Sequence, residues 1–143
     1  TKEGAMKHIT IAILFLCFLL LAAPGFCQET GKAAASDRLE LEVFAICRNV
    51  VNRTPVGTGS TFPASVGRLY CFTKVVGAQE NTRITHNWFM NGKLKASITL
   101  PVKSASWRTW SLKEIKPTDV ADWMVEVLDE NGDPIESILF FVQ

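Results

Sequence analysis

Histidine and cysteine are scarce in this chain, and those present are not spaced for chemistry. There are two histidines and four cysteines in 143 residues. Beyond residue 27 only His86, Cys47 and Cys71 remain. Zinc sites use ligand pairs a few residues apart, and no such pair occurs. Ser111, His86 and Asp119 can be assembled into a triad on paper, but no nucleophile-elbow context surrounds the serine. Charge of one sign is also lacking. Fifteen basic and fourteen acidic residues leave a net +1, which gives no bulk attraction to nucleic acid or anionic lipid. Past residue 27 no helix-period stretch and no internal repeat is visible. The expectation is a non-enzyme without cofactor or metal, with its one remaining histidine packed and hydrogen-bonded on a strand.

One long apolar run is present, Ile9 through Ala23, broken only by Thr10. Lys7 and His8 precede it, and Ala22-Ala23-Pro24-Gly25 close it. That is the charged, apolar and cleavage-zone order of a secretory signal peptide. The run is short of the ~20 apolar residues a membrane-spanning helix needs. Residues 1–27 are therefore expected to be a signal peptide, with Met6 as the natural start and 1–5 as an upstream extension. Cleavage after Cys27 fits the small residues Gly25 and Cys27. Lipidation at Cys27 is the rival, disfavoured by Phe26. An uncleaved anchor is a further alternative and would be the only membrane attachment. Cleavage lowers the basic count from 15 to 13 and the acidic from 14 to 13, a mature net charge of zero. The expected location is periplasmic or secreted. Cys47 and Cys71 are then an even pair in an oxidising compartment, and a disulfide is expected. Two buried free thiols are the alternative.

Residues 28–38 read as a flexible tether and 39–143 as the folded domain. Leu39 to Cys47 begins as an alternation with Leu39, Leu41, Val43, Ala45 and Cys47 on one face. Arg48 to Gly67 carries Pro55, Gly57, Gly59, Pro63 and Gly67 and reads as one long irregular connection. Arg68–Val76 is a second strand, whose Cys71 face is expected to meet the Cys47 face. Arg83–Met90 is the third, and Asn91-Gly92 the strongest hairpin signal in the chain. In the fourth, Lys93–Leu100, strict alternation puts Leu94, Ala96, Ile98 and Leu100 inward. Trp107–Lys113, Asp122–Asp129 and Ile135–Val142 complete seven strands, with Asn131-Gly132 as a second hairpin turn. Ile138, Phe140 and Val142 are read as the outer face of the last. The expected fold is all-β, a single immunoglobulin-like sandwich of about seven antiparallel strands, with a small closed barrel as the alternative.

Two aromatic-polar clusters stand out: Thr85-His86-Asn87-Trp88 and Trp107-Arg108-Thr109-Trp110-Ser111. Trp88 and Trp123 share faces with apolar neighbours and are expected in the core. Trp107 and Trp110 have opposite parity, so one should face outward. An outward indole beside Arg108 suits a sugar ring or a partner protein. In the alternative Arg108 simply covers that indole. Arg83, Lys93 and Lys95 lie on the polar faces of strands three and four. Glu40, Glu42, Glu126 and Glu136 lie on strands one, six and seven. If the sheets divide that way, one face is basic and another acidic.

From Val43 to Val142 the chain resembles a bacterial family catalogued as a domain of unknown function, number twenty-nine fourteen. The residues that carry the resemblance are Cys47-Arg48, Pro55-Val56 and Arg68-Leu69-Tyr70-Cys71-Phe72-Thr73. They continue with His86-Asn87-Trp88, Trp107-Arg108-Thr109-Trp110-Ser111-Leu112-Lys113, and the Trp123 strand up to Asn131-Gly132. Ala121 stands where the family pattern has glycine. The resemblance implies an exported or membrane-tethered β domain and supplies no substrate, cofactor or catalytic residue. The functional expectation is an exported binding module of the cell envelope, for a glycan or an envelope protein. Its candidate residues are Arg108, Trp110, Trp107, Arg83, Lys93 and Lys95. The alternative is an accessory domain docking by an apolar strand face. A hydrolase or metal protein built on His86 is the reading the sequence supports least.

Overall fold

β-Branched and aromatic residues at period two dominate the chain from residue 40 onward, and strands are what they form. The structure is a computed structural model that describes residues 38–143. The expected signal peptide and nearly all of the expected tether lie outside the described residues. The described strands are β1 (Glu40–Val51), β2 (Thr54–Thr58), β3 (Thr61–Phe62), β4 (Arg68–Val76), β5 (Thr82–Met90), β6 (Lys93–Val102), β7 (Ser106–Glu114), β8 (Ala121–Leu128) and β9 (Pro134–Val142). Among the described residues there is no α-helix, and the one 3-10 turn is Ala64–Val66. It follows that no described helix is long and apolar enough to cross a membrane.

The strands form two sheets, β2-β1-β4-β7 and β3-β9-β8-β5-β6. They do not close into a barrel, so the fold is a β-sandwich. Its order is immunoglobulin-like. The first strand pairs antiparallel with β4, and the chain then changes sheets so that β3 runs parallel to the last strand, β9. The connections β4 to β5, β6 to β7 and β7 to β8 also switch sheets, while β5-β6 and β8-β9 are hairpins. The first of these hairpins turns on Asn91 and Gly92 at φ 47° and 76°, as the sequence predicts. The second is longer. Asp129 Oδ1 accepts from the backbone N–H of Asn131 and Asp133, and Gly132 takes φ 86°.

The core between the sheets is aromatic. Trp88, Trp123, Phe62 and Phe140 are fully buried, and Phe140 meets the other three rings at centroid separations of 5.9 to 6.1 Å. Trp88 and Trp123 are thus in the core as expected.

Nine strands replace the expected seven, and the difference lies in 48–67. β1 does not stop at Cys47. It runs to Val51 and turns at Asn52-Arg53 into β2, with φ 49° and 59° at the two turn residues. A two-residue turn with both residues left-handed is the type that matches the twist of a hairpin, and asparagine tolerates it. Pro55 is accommodated because β2 is an edge strand.

Bulges overturn three facings read from alternation. In β1 the pairing slips between Leu41 and Val43. Leu41, Phe44 and Ile46 then face the core, while Val43, Ala45 and Cys47 face away. Cys71 pairs beside Ile46, and Cys47 beside Tyr70. The two cysteines therefore stand on opposite faces of one sheet, and both are free buried thiols. The expected Cys47–Cys71 disulfide is absent for that reason. In β6 a slip opposite Trp88 and Phe89 turns Leu94 outward, to 54% exposure. In β9 the parity is the reverse of that expected. Phe140 and Val142 are buried and Ile138 packs on the core, while Leu139 and Phe141 are exposed.

Candidate functional site

His86 lies midway along β5 with its side chain between the sheets, at 0% exposure. Its Nδ1 is 2.8 Å from Ser111 Oγ on β7, and its Nε2 is 3.4 Å from Thr73 Oγ1 on β4. Trp88 Nε1 donates to the same Ser111 Oγ at 3.0 Å, and Thr73 Oγ1 donates to the Thr109 carbonyl at 3.1 Å. One proton assignment uses every donor. Trp88 donates to Ser111, Ser111 donates to Nδ1, Nε2–H donates to Thr73, and Thr73 donates to Thr109 O. The ring is then the neutral Nε2–H tautomer. Burial pushes its pKa down to about 4, which agrees with that state.

The Ser111–His86 contact has the length of a nucleophile–base pair, but the serine is buried, the histidine is sealed and both ring nitrogens are occupied. This is a core network joining the two sheets. Asp119 takes no part in it. Its carbonyl accepts from Trp123 Nε1. Burial raises the pKa of both thiols, Cys71 most, so neither is poised as a thiolate. Among the described residues no three His, Cys, Asp or Glu side chains are placed to hold a metal ion.

The open site is elsewhere, at the foot of β7. A groove of about 450 Å³ is lined by Asn52, Arg53, Thr54, Ser104, Ser106, Trp107 and Arg108. Four of these come from the β6–β7 connection and the start of β7. The other three are the tip of the β1–β2 hairpin. Arg53 lies over the Trp107 indole, 5.5 Å from guanidinium carbon to ring centroid. β1 parts from β4 beside Tyr70, near the start of β4, whereas Trp107 sits beside Val75 at the other end. The tip of the β1–β2 arm nevertheless lies at Trp107. Two residues of this sheet are buried although strand parity turns them outward. Phe72 and Cys47 point away from the core, yet they are 1% and 0% exposed. Trp110 shares that face and stacks on Phe72 at 6.0 Å and 11°.

The candidate residues therefore part company. Trp107 and Arg108 share the groove. Trp110 faces outward, as one of the pair had to, but is half-buried against Phe72. Arg53, not Arg108, covers the Trp107 indole. Arg83, Lys93 and Lys95 are exposed on β5 and β6 of the other sheet and contribute nothing to the groove. The sheets do not divide by charge either. Glu126 and Glu136 share the sheet of those three cations, and Lys74 pairs with Glu42 at 2.6 Å on the first sheet. Thr85 and Asn87 face away from His86 and Trp88, with Thr85 Oγ1 3.2 Å from Thr99 Oγ1.

Within the groove Ser104 Oγ donates to Ser106 O at 2.8 Å, and Thr54 Oγ1 donates to Asn52 O at 3.4 Å. These bonds tie each loop to itself, and each hydroxyl oxygen that donates keeps its acceptor capacity. Asn52, Arg53, Thr54, Ser104 and Ser106 escape sequence reasoning because nothing local joins residue 53 to residue 107. The available signal was Val50-Val51 and Thr54-Pro55-Val56 flanking Asn52-Arg53, which reads as a hairpin once a turn without glycine is admitted.

No curated protein matches this chain. Among solved structures it is similar to the crystal structure of selenomethionine-labelled beta-glucosidase from Kluyveromyces marxianus, at 10% identity and a TM-score of 0.44. That match covers 74% of this chain and 14% of the other, so the chain spans a small part of that protein's length. Residues 81–142, the five strands from β5 to β9, match the model of the family described as Protein of unknown function (DUF2914), and over those strands the family resemblance read from the sequence holds.

Proposed function

We propose that this chain is an exported, non-enzymatic binding module of the bacterial cell envelope, and that it takes a saccharide in the groove of Trp107, Arg108 and the hairpin tip. The observation that carries the reading is the lining itself. A half-buried indole under Arg53, edged by hydroxyls, an amide and a second guanidinium, offers an apolar rim and hydrogen bonds together, as a sugar ring requires. The apolar run before residue 24 supports export, to the periplasm or beyond. The sealing of His86 favours binding over hydrolysis. The test is tryptophan fluorescence of the full chain titrated with envelope polysaccharides. A saturable change that disappears in Trp107→Leu and persists in Trp110→Leu is the expected result. A titration unaffected by Trp107→Leu removes the groove as the site.

A second reading, docking by an apolar face, is favoured by the outward side of the β9-β8-β5-β6 sheet. Leu94, Phe89, Met124 and Leu139 stand in register across four strands, with Phe141 beside them. Leu139 is 64% exposed and Phe141 45%. The occupant we propose is a second copy of the chain. Arg83 and Lys95 lie on the β5-β6 half and Asp122 and Glu126 on β8. A two-fold axis along the strands sets the basic half of one copy against the acidic half of the other. Sedimentation of wild type against Leu139→Lys tests this. A dimer lost in the variant supports it, and a monomeric wild type at ~100 μM overturns it.

A further inference from the structure

The groove carries an asymmetry of charge that neutral sugar binding does not require. Its lining holds two guanidiniums and no carboxylate. Lys74 stands beside Arg108 across β4 and β7. Glu42 is already held by that lysine at 2.6 Å. Arg53 is committed to the indole of Trp107. Arg108 is exposed, and its guanidinium has a planar fork that matches an acidic oxygen pair two bonds at a time.

Resting on the saccharide reading above, we propose that the ligand is an acidic saccharide, with its charged group on Arg108 and its ring edge against Trp107 and Arg53. The arrangement divides the work. The indole and the hydroxyls of Thr54, Ser104 and Ser106 accept any sugar of suitable shape, whereas Arg108 discriminates by charge. The pair is exposed, so salt within a Debye length of about 8 Å weakens it. The anion has two sources, a uronate carboxylate or a sugar phosphate, and both present the same oxygen pair.

The test uses matched ligands that differ only in charge, measured by calorimetry on the full chain. Trigalacturonate is compared with its methyl ester, and glucose 6-phosphate with glucose. The expected result is that at least one acidic member binds about tenfold more tightly than its neutral counterpart. Arg108→Gln removes that preference, and Trp107→Leu weakens both members alike. Preference in the first pair assigns a uronate, and preference only in the second assigns a sugar phosphate. Equal binding of acid and neutral forms overturns this inference and leaves the saccharide reading standing. A preference that survives Arg108→Gln overturns the role of Arg108. Absence of binding by all four, together with silence toward polysaccharides, overturns both readings. Arg108 is exposed on an edge strand, so its replacement does not endanger the fold.

Discussion

Ser111 is the residue on which the interior hinges. Its hydroxyl accepts from Trp88 and donates to His86, so two side chains of β5 are tied to one oxygen of β7. Ser111→Ala removes that oxygen and leaves an indole N–H and an imidazole nitrogen buried without partners. Each such group costs about 1–3 kcal/mol, and the two share one cavity, so a loss of about 3 kcal/mol is expected. Urea unfolding followed by near-ultraviolet circular dichroism measures it. A loss below ~1 kcal/mol means that the network is not closed as described. The sequence made half of this visible. It showed His86 beside Ile84 and Trp88 on one face, hence packed. It could not show that Ser111 and Thr73 would be the partners, because their strands meet β5 only across the sandwich.

At the scale of the element, β9 and β6 show how far alternation carries and where it fails. The period of two was visible in both strands. What alternation lacks is an origin, and one unpaired residue moves the origin. In β9 the facings invert and give a sharp contrast between neighbours. Phe140→Lys places a charge among Trp88, Trp123 and Phe62 and abolishes folding, whereas Leu139→Lys changes stability by no more than about 0.5 kcal/mol. Thermal melts of the two variants decide it, and equal damage from both would return the strand to the sequence-based facing. In β1 the bulge near Glu42 separates Cys47 from Cys71. In β6 the extra residue near Lys95 exposes Leu94. These slips are tertiary events, fixed by pairing with strands distant in sequence, and no local pattern announces them. The β1–β2 arm was hidden for a different reason. Its Pro55 and Gly57 belong to an edge strand, where they are tolerated, and they concealed a hairpin whose tip lies at Trp107.

At the scale of the molecule, the two sheets meet across a histidine that must stay neutral. Its network links β5 of one sheet to β4 and β7 of the other, so a proton on His86 acts against the sandwich itself. In the unfolded chain histidine titrates near 6.5, and in the fold burial lowers this to about 4. Between those values the unfolded state binds more protons than the native state, so stability rises with pH there and is lost as pH falls. The contribution is intact above pH 6.5 and gone below about 4. Its full size is about 3 kcal/mol, since each tenfold change in proton affinity is worth ~1.4 kcal/mol. Urea unfolding at pH 7.5, 5.5 and 4.5 should therefore show midpoints falling steadily, with most of the loss below pH 6.5. The proton resonances of the His86 ring, followed by NMR in the native state, should show no titration near 6.5 and a midpoint near 4. A native midpoint close to 6.5 would mean that water reaches the ring. In that case the interior would have to be opened as a second candidate for chemistry, alongside the groove at Trp107.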